Sequence, residues 1–154
     1  MSDALALMSQ ITTIDKLLAF EHEMRKHEQL ELLTEHFISP GIYTRVLHIP
    51  KGCLLTGKIH KQPILNIMLK GDISVLLGNE VRRIVAPFIC VSPAGSKKIG
   101  FAHEDTIWAG CHGTNETDVE AIERLFIAQT EDEFLRHVAK ARQLVLPLEP
   151  PKCG

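Results

Sequence analysis

The sequence has no excess of either charge: 17 basic and 19 acidic side chains leave a net charge of −2. Such a chain has no general electrostatic pull toward nucleic acid or an anionic lipid surface. It has little cysteine. Cys53, Cys90, Cys111 and Cys153 form no C-x-x-C pair and no spacing that reads as a disulfide framework. The first three lie in apolar runs, where a free thiol behaves as a small hydrophobe, so a reducing compartment is expected. The opening Met1-Ser2-Asp3-Ala4 has no basic leader and no long apolar run follows it, so neither a signal peptide nor a membrane span is expected. A soluble, cytoplasmic protein follows as the expectation. There is no internal repeat, low-complexity tract, phosphate loop, Ser-nucleophile elbow or zinc-finger spacing.

What is present is one domain's worth of chain, 154 residues, with ordinary apolar (45%) and charged (23%) fractions. Near the start, Ile14, Leu17, Leu18 and Met24 recur at roughly helical spacing with Asp15, Glu21 and Arg25 between them. This predicts a helix over 13–28, capped by Thr12 or Thr13. Pro40-Gly41 then breaks the chain. From Ile42 to His112, short aliphatic and β-branched runs alternate with turn residues: 42–49, 53–60, 64–69, 72–77, 81–85, 88–92, 97–102 and 106–112. Such close spacing, without intervening helices, predicts an all-β sandwich or barrel. Helical texture then returns. Thr117 with Glu120, and Thr130 with Glu133, form capping boxes ahead of apolar faces. The expected organisation is an N-terminal helical segment over 1–40 packed on the barrel, a β-barrel over 41–114, C-terminal helices over 115–146, and a flexible tail over 147–154.

The middle of the chain resembles a cupin. Gly52, then Lys58-Ile59-His60 in the His-x-His position, then Lys70-Gly71-Asp72 at the expected hairpin, follow the first cupin motif. Ser92-Pro93-Ala94-Gly95 follows the second, with Lys98 in the place of its histidine. The segments Gly95-Ser96-Lys97-Lys98 and 103–108 are also similar to small uncharacterised cupin-like proteins encoded by tailed bacteriophages. The resemblance covers residues 41–112. It implies a mainly β, double-stranded β-helix (jelly-roll) barrel, flanked here by an N-terminal helix and C-terminal helices.

The resemblance also implies a divalent metal held by three histidines and one glutamate. In this sequence those places fall on Lys58, His60, Ile64 and Lys98, so only His60 keeps a ligand. A protonated lysine does not ordinarily ligate, and isoleucine has no donor. No metal or other cofactor is therefore expected. Strand parity places Lys58, His60, Ile64, Asn66 and Met68 on one face, with Lys98 inward by the motif. The predicted ligand-binding set is Lys58, His60, Asn66 and Lys98, a cationic bowl suited to a small anion. The competing reading is that both lysines reach out to the rim and His60 satisfies a buried partner.

His103 and His112 are further candidates. With His60 they would make a rearranged three-histidine metal site, the basis of an alternative reading as a metal-dependent isomerase, epimerase or dioxygenase. His103-Glu104-Asp105 otherwise reads as a turn, Trp108 as core, and Glu116, Asp118, Glu120 and Glu123 as helix-start charges on a solvated face. Cys111 and His112 are adjacent on a strand and face opposite ways, which argues against a Cys–His pair. The favoured expectation is a non-catalytic module that holds a small anion or a protein partner. A structural or interaction protein of a bacteriophage, acting in the bacterial host cytoplasm, is the other alternative. Self-association, as a dimer, is expected because short strands leave edges to cover.

Overall fold

The computed structural model describes residues 3–11, 14–77 and 80–144. The candidate cap at Thr12 or Thr13, the Gly78-Asn79 turn, Cys153 and the expected tail at 147–154 lie outside the described residues.

Two sheets face each other. The larger has the order β1 (Thr34–Ser39), β2 (Ile42–Ile49), β10 (Thr106–Gly113), β5 (Ile64–Lys70) and β8 (Phe88–Ser92). The smaller has the order β3 (Leu54–Thr56), β9 (Ile99–Ala102), β6 (Asp72–Leu77) and β7 (Glu80–Val85). Every pairing in both is antiparallel. A short pair, β4 (Ile59–His60) with β11 (Ile127–Ala128), closes one end. The chain is thus a mainly β, cupin-like jelly-roll barrel flanked by helices.

The turn residues mostly carry the chain between sheets. Pro50-Lys51-Gly52, Lys70-Gly71-Asp72, Pro93-Ala94-Gly95 and His103-Glu104-Asp105 each connect a strand of one sheet to a strand of the other. Lys70-Gly71-Asp72 is therefore a corner, not the hairpin expected. Gly71 has φ +105°, and a Cβ there would overlap Thr106; the corner turns so tightly that only glycine fits.

Alternation fills the space between the sheets with Ile49, Met68, Ile73, Val75, Ile84 and Ala102, all buried. The opposite face of the smaller sheet meets α1 (Asp3–Ser9) and α2 (Ile14–Met24), through Met8, Ile11 and Leu17 against Leu76 and Ile99. Glu21 of α2 ties this layer down. Its carboxylate accepts hydrogen bonds from Lys97 Nζ (2.6 Å) and Thr56 Oγ1 (2.9 Å). Burial alone would raise its pKa, but those two bonds hold the group below the usual carboxylate range.

Three elements depart from the sequence expectation. The N-terminal segment holds two helices rather than one, and β1 lies within the 1–40 stretch expected to be helical. The expected 53–60 strand is split into β3 and β4 by Gly57-Lys58. Helix α3 (Val119–Phe126) is capped by Asp118, whose Oδ2 accepts from Ala121 N at 2.8 Å, one residue later than the Thr117 box. Half of the second box is present: Thr130 Oγ1 accepts from Glu133 N at 3.1 Å at the start of α4 (Glu131–Leu144), while Glu133 Oε2 accepts from Gln129 N at 2.8 Å.

No helix among the described residues is long and apolar enough to cross a membrane.

Candidate functional site

The barrel encloses a cavity of about 120 Å³ at the end closed by the β4–β11 pair. Its floor is apolar, formed by Ile49, Leu55, Ile64, Ile73 and Val75. α3 runs over the mouth because β11, directly after it, pairs with β4 (Ile127 opposite His60). Ile122 and Phe126, on the apolar face of α3, are buried against Tyr43.

Lys58, His60, Asn66, Lys98 and His112 all line this cavity, and His103 does not. His103 follows β9, and its Nε2 is 2.7 Å from Ser74 Oγ, with the ring edge-on to Phe101. Ser74 alternates with the core residues Ile73 and Val75. It therefore belongs to the other, helix-covered face of the smaller sheet, away from the cavity. The three histidines thus do not form one site.

The two lysines separate. Lys58 sits at the rim with an exposed side chain, and its Nζ donates to Glu123 Oε1 at 3.3 Å. Lys98 points inward. Its neighbour Lys97, also in the loop before β9, points the other way, to Glu21. Lys98 Nζ has one hydrogen bond, a long one of 3.5 Å to Asn66 Oδ1, and lies 5.9 Å from the centre of the Trp108 ring. Among the described residues no carboxylate pairs with it. Burial pushes its pKa below the usual lysine value.

Asn66 has a different role from the one its position suggested. Its Nδ2 donates to Ile64 O (3.1 Å) and Ser92 Oγ (2.9 Å). Its Oδ1 accepts from Trp108 Nε1 (3.1 Å) and from Lys98. Both donors and both acceptor directions are used. Asn66 therefore fixes Lys98 and Trp108 in place and has little left for a ligand. Trp108 is partly exposed to the cavity rather than sealed in core.

His60 and His112 are stacked, with ring centroids 5.6 Å apart. Beyond His112 come Phe126 at 4.3 Å and Tyr43 at 6.1 Å. The Nδ1 atoms of both histidines are buried without a hydrogen-bond partner. Burial is the main cause that brings each imidazole's pKa down to about 4. The neighbouring His112, Lys98, Arg45 and Lys58 add to this for His60, and Arg45 for His112. Both rings are neutral at physiological pH.

Sequence reasoning missed Tyr43, Arg45, Glu123 and Phe126. Arg45 and Tyr43 were within reach of parity: both alternate with Ile49 on β2, and register places Gly110 opposite Arg45 and His112 opposite Tyr43. Glu123, expected on a solvated face, instead turns into the mouth and pairs with both Lys58 and Arg45 (3.6 Å). No local signal marks it, because its placement depends on the β4–β11 pairing.

The metal implied by the family resemblance does not fit these residues. Lys58, Ile64 and Lys98 replace three of its ligands, which leaves His60 and the stacked His112 as the histidines in the cavity. Among the described residues no group of three or more His, Cys, Asp or Glu is placed to hold an ion.

Neither a protein-family profile nor a curated relative matches the sequence. Solved structures with a similar course of chain do exist. One is KdgF from Halomonas sp., with 15% identity over 61% of this chain and 91% of that one, at a TM-score of 0.48. Another is an uncharacterised conserved protein with a double-stranded β-helix domain from Klebsiella pneumoniae, with 14% identity over 60% and 84% and a TM-score of 0.49. A third is an RmlC-like cupin family protein with a double-stranded β-helix fold from Methanocaldococcus jannaschii, with 11% identity over 58% and 85% and a TM-score of 0.46.

Proposed function

We propose that this chain is a metal-independent, cupin-like binding protein for a small organic anion, of the kind encoded by tailed bacteriophages and acting in the host cytoplasm. One observation carries the reading: Lys98 lines an apolar cavity with one long hydrogen bond and no acidic partner among the described residues. Holding an ammonium group in such a place costs on the order of several kcal/mol, which an entering anion offsets. Arg45 and Lys58 give the mouth the same sign, and Glu123 answers only part of it. The apolar floor suits a ligand with a carbon body, and the two neutral imidazoles offer it both donors and acceptors.

Thermal-shift measurement against a panel of small carboxylates and phosphates tests this. A binding anion at a hundredfold excess over its Kd stabilises by about 2.7 kcal/mol. The shift should vanish in Lys98→Met, weaken in Lys58→Met and persist in Lys140→Met on α4. An unaltered response in Lys98→Met sinks the reading. Elemental analysis of the purified protein is expected to find no stoichiometric transition metal; one equivalent lost in His60→Ala would point instead to the metal-dependent alternative.

The second reading, an interaction protein, draws on the outer face of the five-stranded sheet, where Leu65, Ile89 and Val91 are exposed. It is compatible with a liganded barrel, and a dimer built on that face is the form we expect.

A further inference from the structure

We infer that Lys98 is a nucleophilic amine that forms an imine with a carbonyl compound bearing a carboxylate, such as a small 2-oxo acid. This rests on the anion-binding reading of the same cavity and adds a covalent step to it.

An ammonium group that serves only as a charge is normally surrounded by acceptors. Lys98 Nζ has a single acceptor, Asn66 Oδ1 at 3.5 Å, and the face of Trp108 at 5.9 Å. Asn66 is held from three other directions, by Ile64 O, Ser92 Oγ and Trp108 Nε1, so it fixes the amine without neutralising it. Ile49, Leu55, Ile64, Ile73 and Val75 form the apolar part of the cavity wall, and burial favours the uncharged amine. The amine lone pair adds to the carbonyl carbon, the C=O π pair moves to oxygen, and a proton passes from nitrogen to that oxygen to give a carbinolamine. Loss of the hydroxyl as water, with the nitrogen proton, leaves the C=N bond. Amine and carbonyl become imine and water, with no change of oxidation state.

Attack also requires that the carbonyl oxygen be held and oriented. His60 and His112 line the same cavity as neutral imidazoles, and with each Nδ1 buried, Nε2 is the nitrogen left to make a hydrogen bond to the carbonyl oxygen. Arg45 at the mouth is the counter-charge for the carboxylate, where Glu123 now lies.

Pyruvate with sodium cyanoborohydride tests the step. Reduction of the imine would leave a carboxyethyl group on Lys98, read by intact mass and peptide mapping. Burial favours the free amine, the form that attacks a carbonyl, so Lys98 should label severalfold faster than exposed Lys51 or Lys140 at pH 6.5–7. Propionate, which lacks the carbonyl, should slow the labelling. Lys98→Arg should still be stabilised by pyruvate in a thermal-shift assay but take no label, which separates chemistry from folding. Pyruvate stabilisation that depends on Lys98 without label there overturns the imine and leaves anion binding intact. Label spread evenly over exposed lysines also overturns it. No stabilisation by pyruvate or any other anion, and no label, removes both readings.

Discussion

His60 of β4 and His112 of β10 lie 52 residues apart in the sequence, yet their rings stack at 5.6 Å with each Nδ1 buried and unpartnered. Neither ring gains by being charged there. Both are held down to about 4, below the free value of 6.5. Between those two values the unfolded chain binds protons that the folded chain does not. This part of the stability is therefore fully present above about pH 6.5 and is lost as pH falls toward 4. The loss is at most about 3 kcal/mol for the buried His112. Urea unfolding from pH 7.5 to 4.5 should show the decline, and His112→Phe should flatten it. An equally steep decline in that variant would refute the assignment.

Glu123 occupies the mouth as a carboxylate already in place, paired with Lys58 and Arg45. An incoming anion competes with it for Arg45. Glu123→Gln should therefore tighten anion binding severalfold by calorimetry, and Arg45→Met should weaken it. Because the pairs are partly exposed, Glu123→Gln should change stability by no more than about 1 kcal/mol. Weaker binding in Glu123→Gln would show that the carboxylate helps the ligand instead.

The larger sheet is covered differently from the smaller one. Register lines up Phe37, Thr44, Cys111, Leu65 and Val91 across its outer face, with Val46, Ala109, Ile67 and Ile89 in the next row. Ile89 is 63% and Val91 66% exposed. Val46 and Ala109 are buried, and the exposed apolar cluster is Leu65, Ile89 and Val91 on β5 and the edge strand β8, the kind of patch that marks an interface. Sedimentation at micromolar concentration should find a dimer, and Val91→Lys with Ile89→Glu should dissociate it without altering anion binding. A monomeric parent chain would rule this out.

Strands β2, β6 and β8 were legible with their limits, because alternation and bounding turn residues agree there. The β1 strand was not: all but its first residue are exposed, so it lacks the half-buried alternation that marks a strand. In the site, parity and motif position led to Lys58, His60, Asn66 and Lys98, all of which line the cavity. Parity does not reveal how far a long side chain reaches, so the contrast between exposed Lys58 and inward Lys98 required the fold. His103 was misleading because the corner between sheets that carries it turns its ring to the helix-covered face.

Gly95 in the loop before Lys98 has φ +80°, and a Cβ there would lie 2.6 Å from the ring of Phe134 on α4. Lys61, just past His60, is tied to Glu133 of the same helix at 2.7 Å. A helix with none of its described side chains in the cavity lining thus grips the segments carrying two of the cavity's main residues, while α3 supplies the roof. The barrel is therefore a poor unit of exchange. A fragment ending at residue 114, or a chimera that imported these strands without residues 119–144, would keep Lys58, His60, Asn66, Lys98 and His112 but lose Ile122, Glu123, Phe126 and Ile127 from the cavity wall. Changes to the ligand preference of this chain should accordingly arise in α3 and α4 as readily as in the strands.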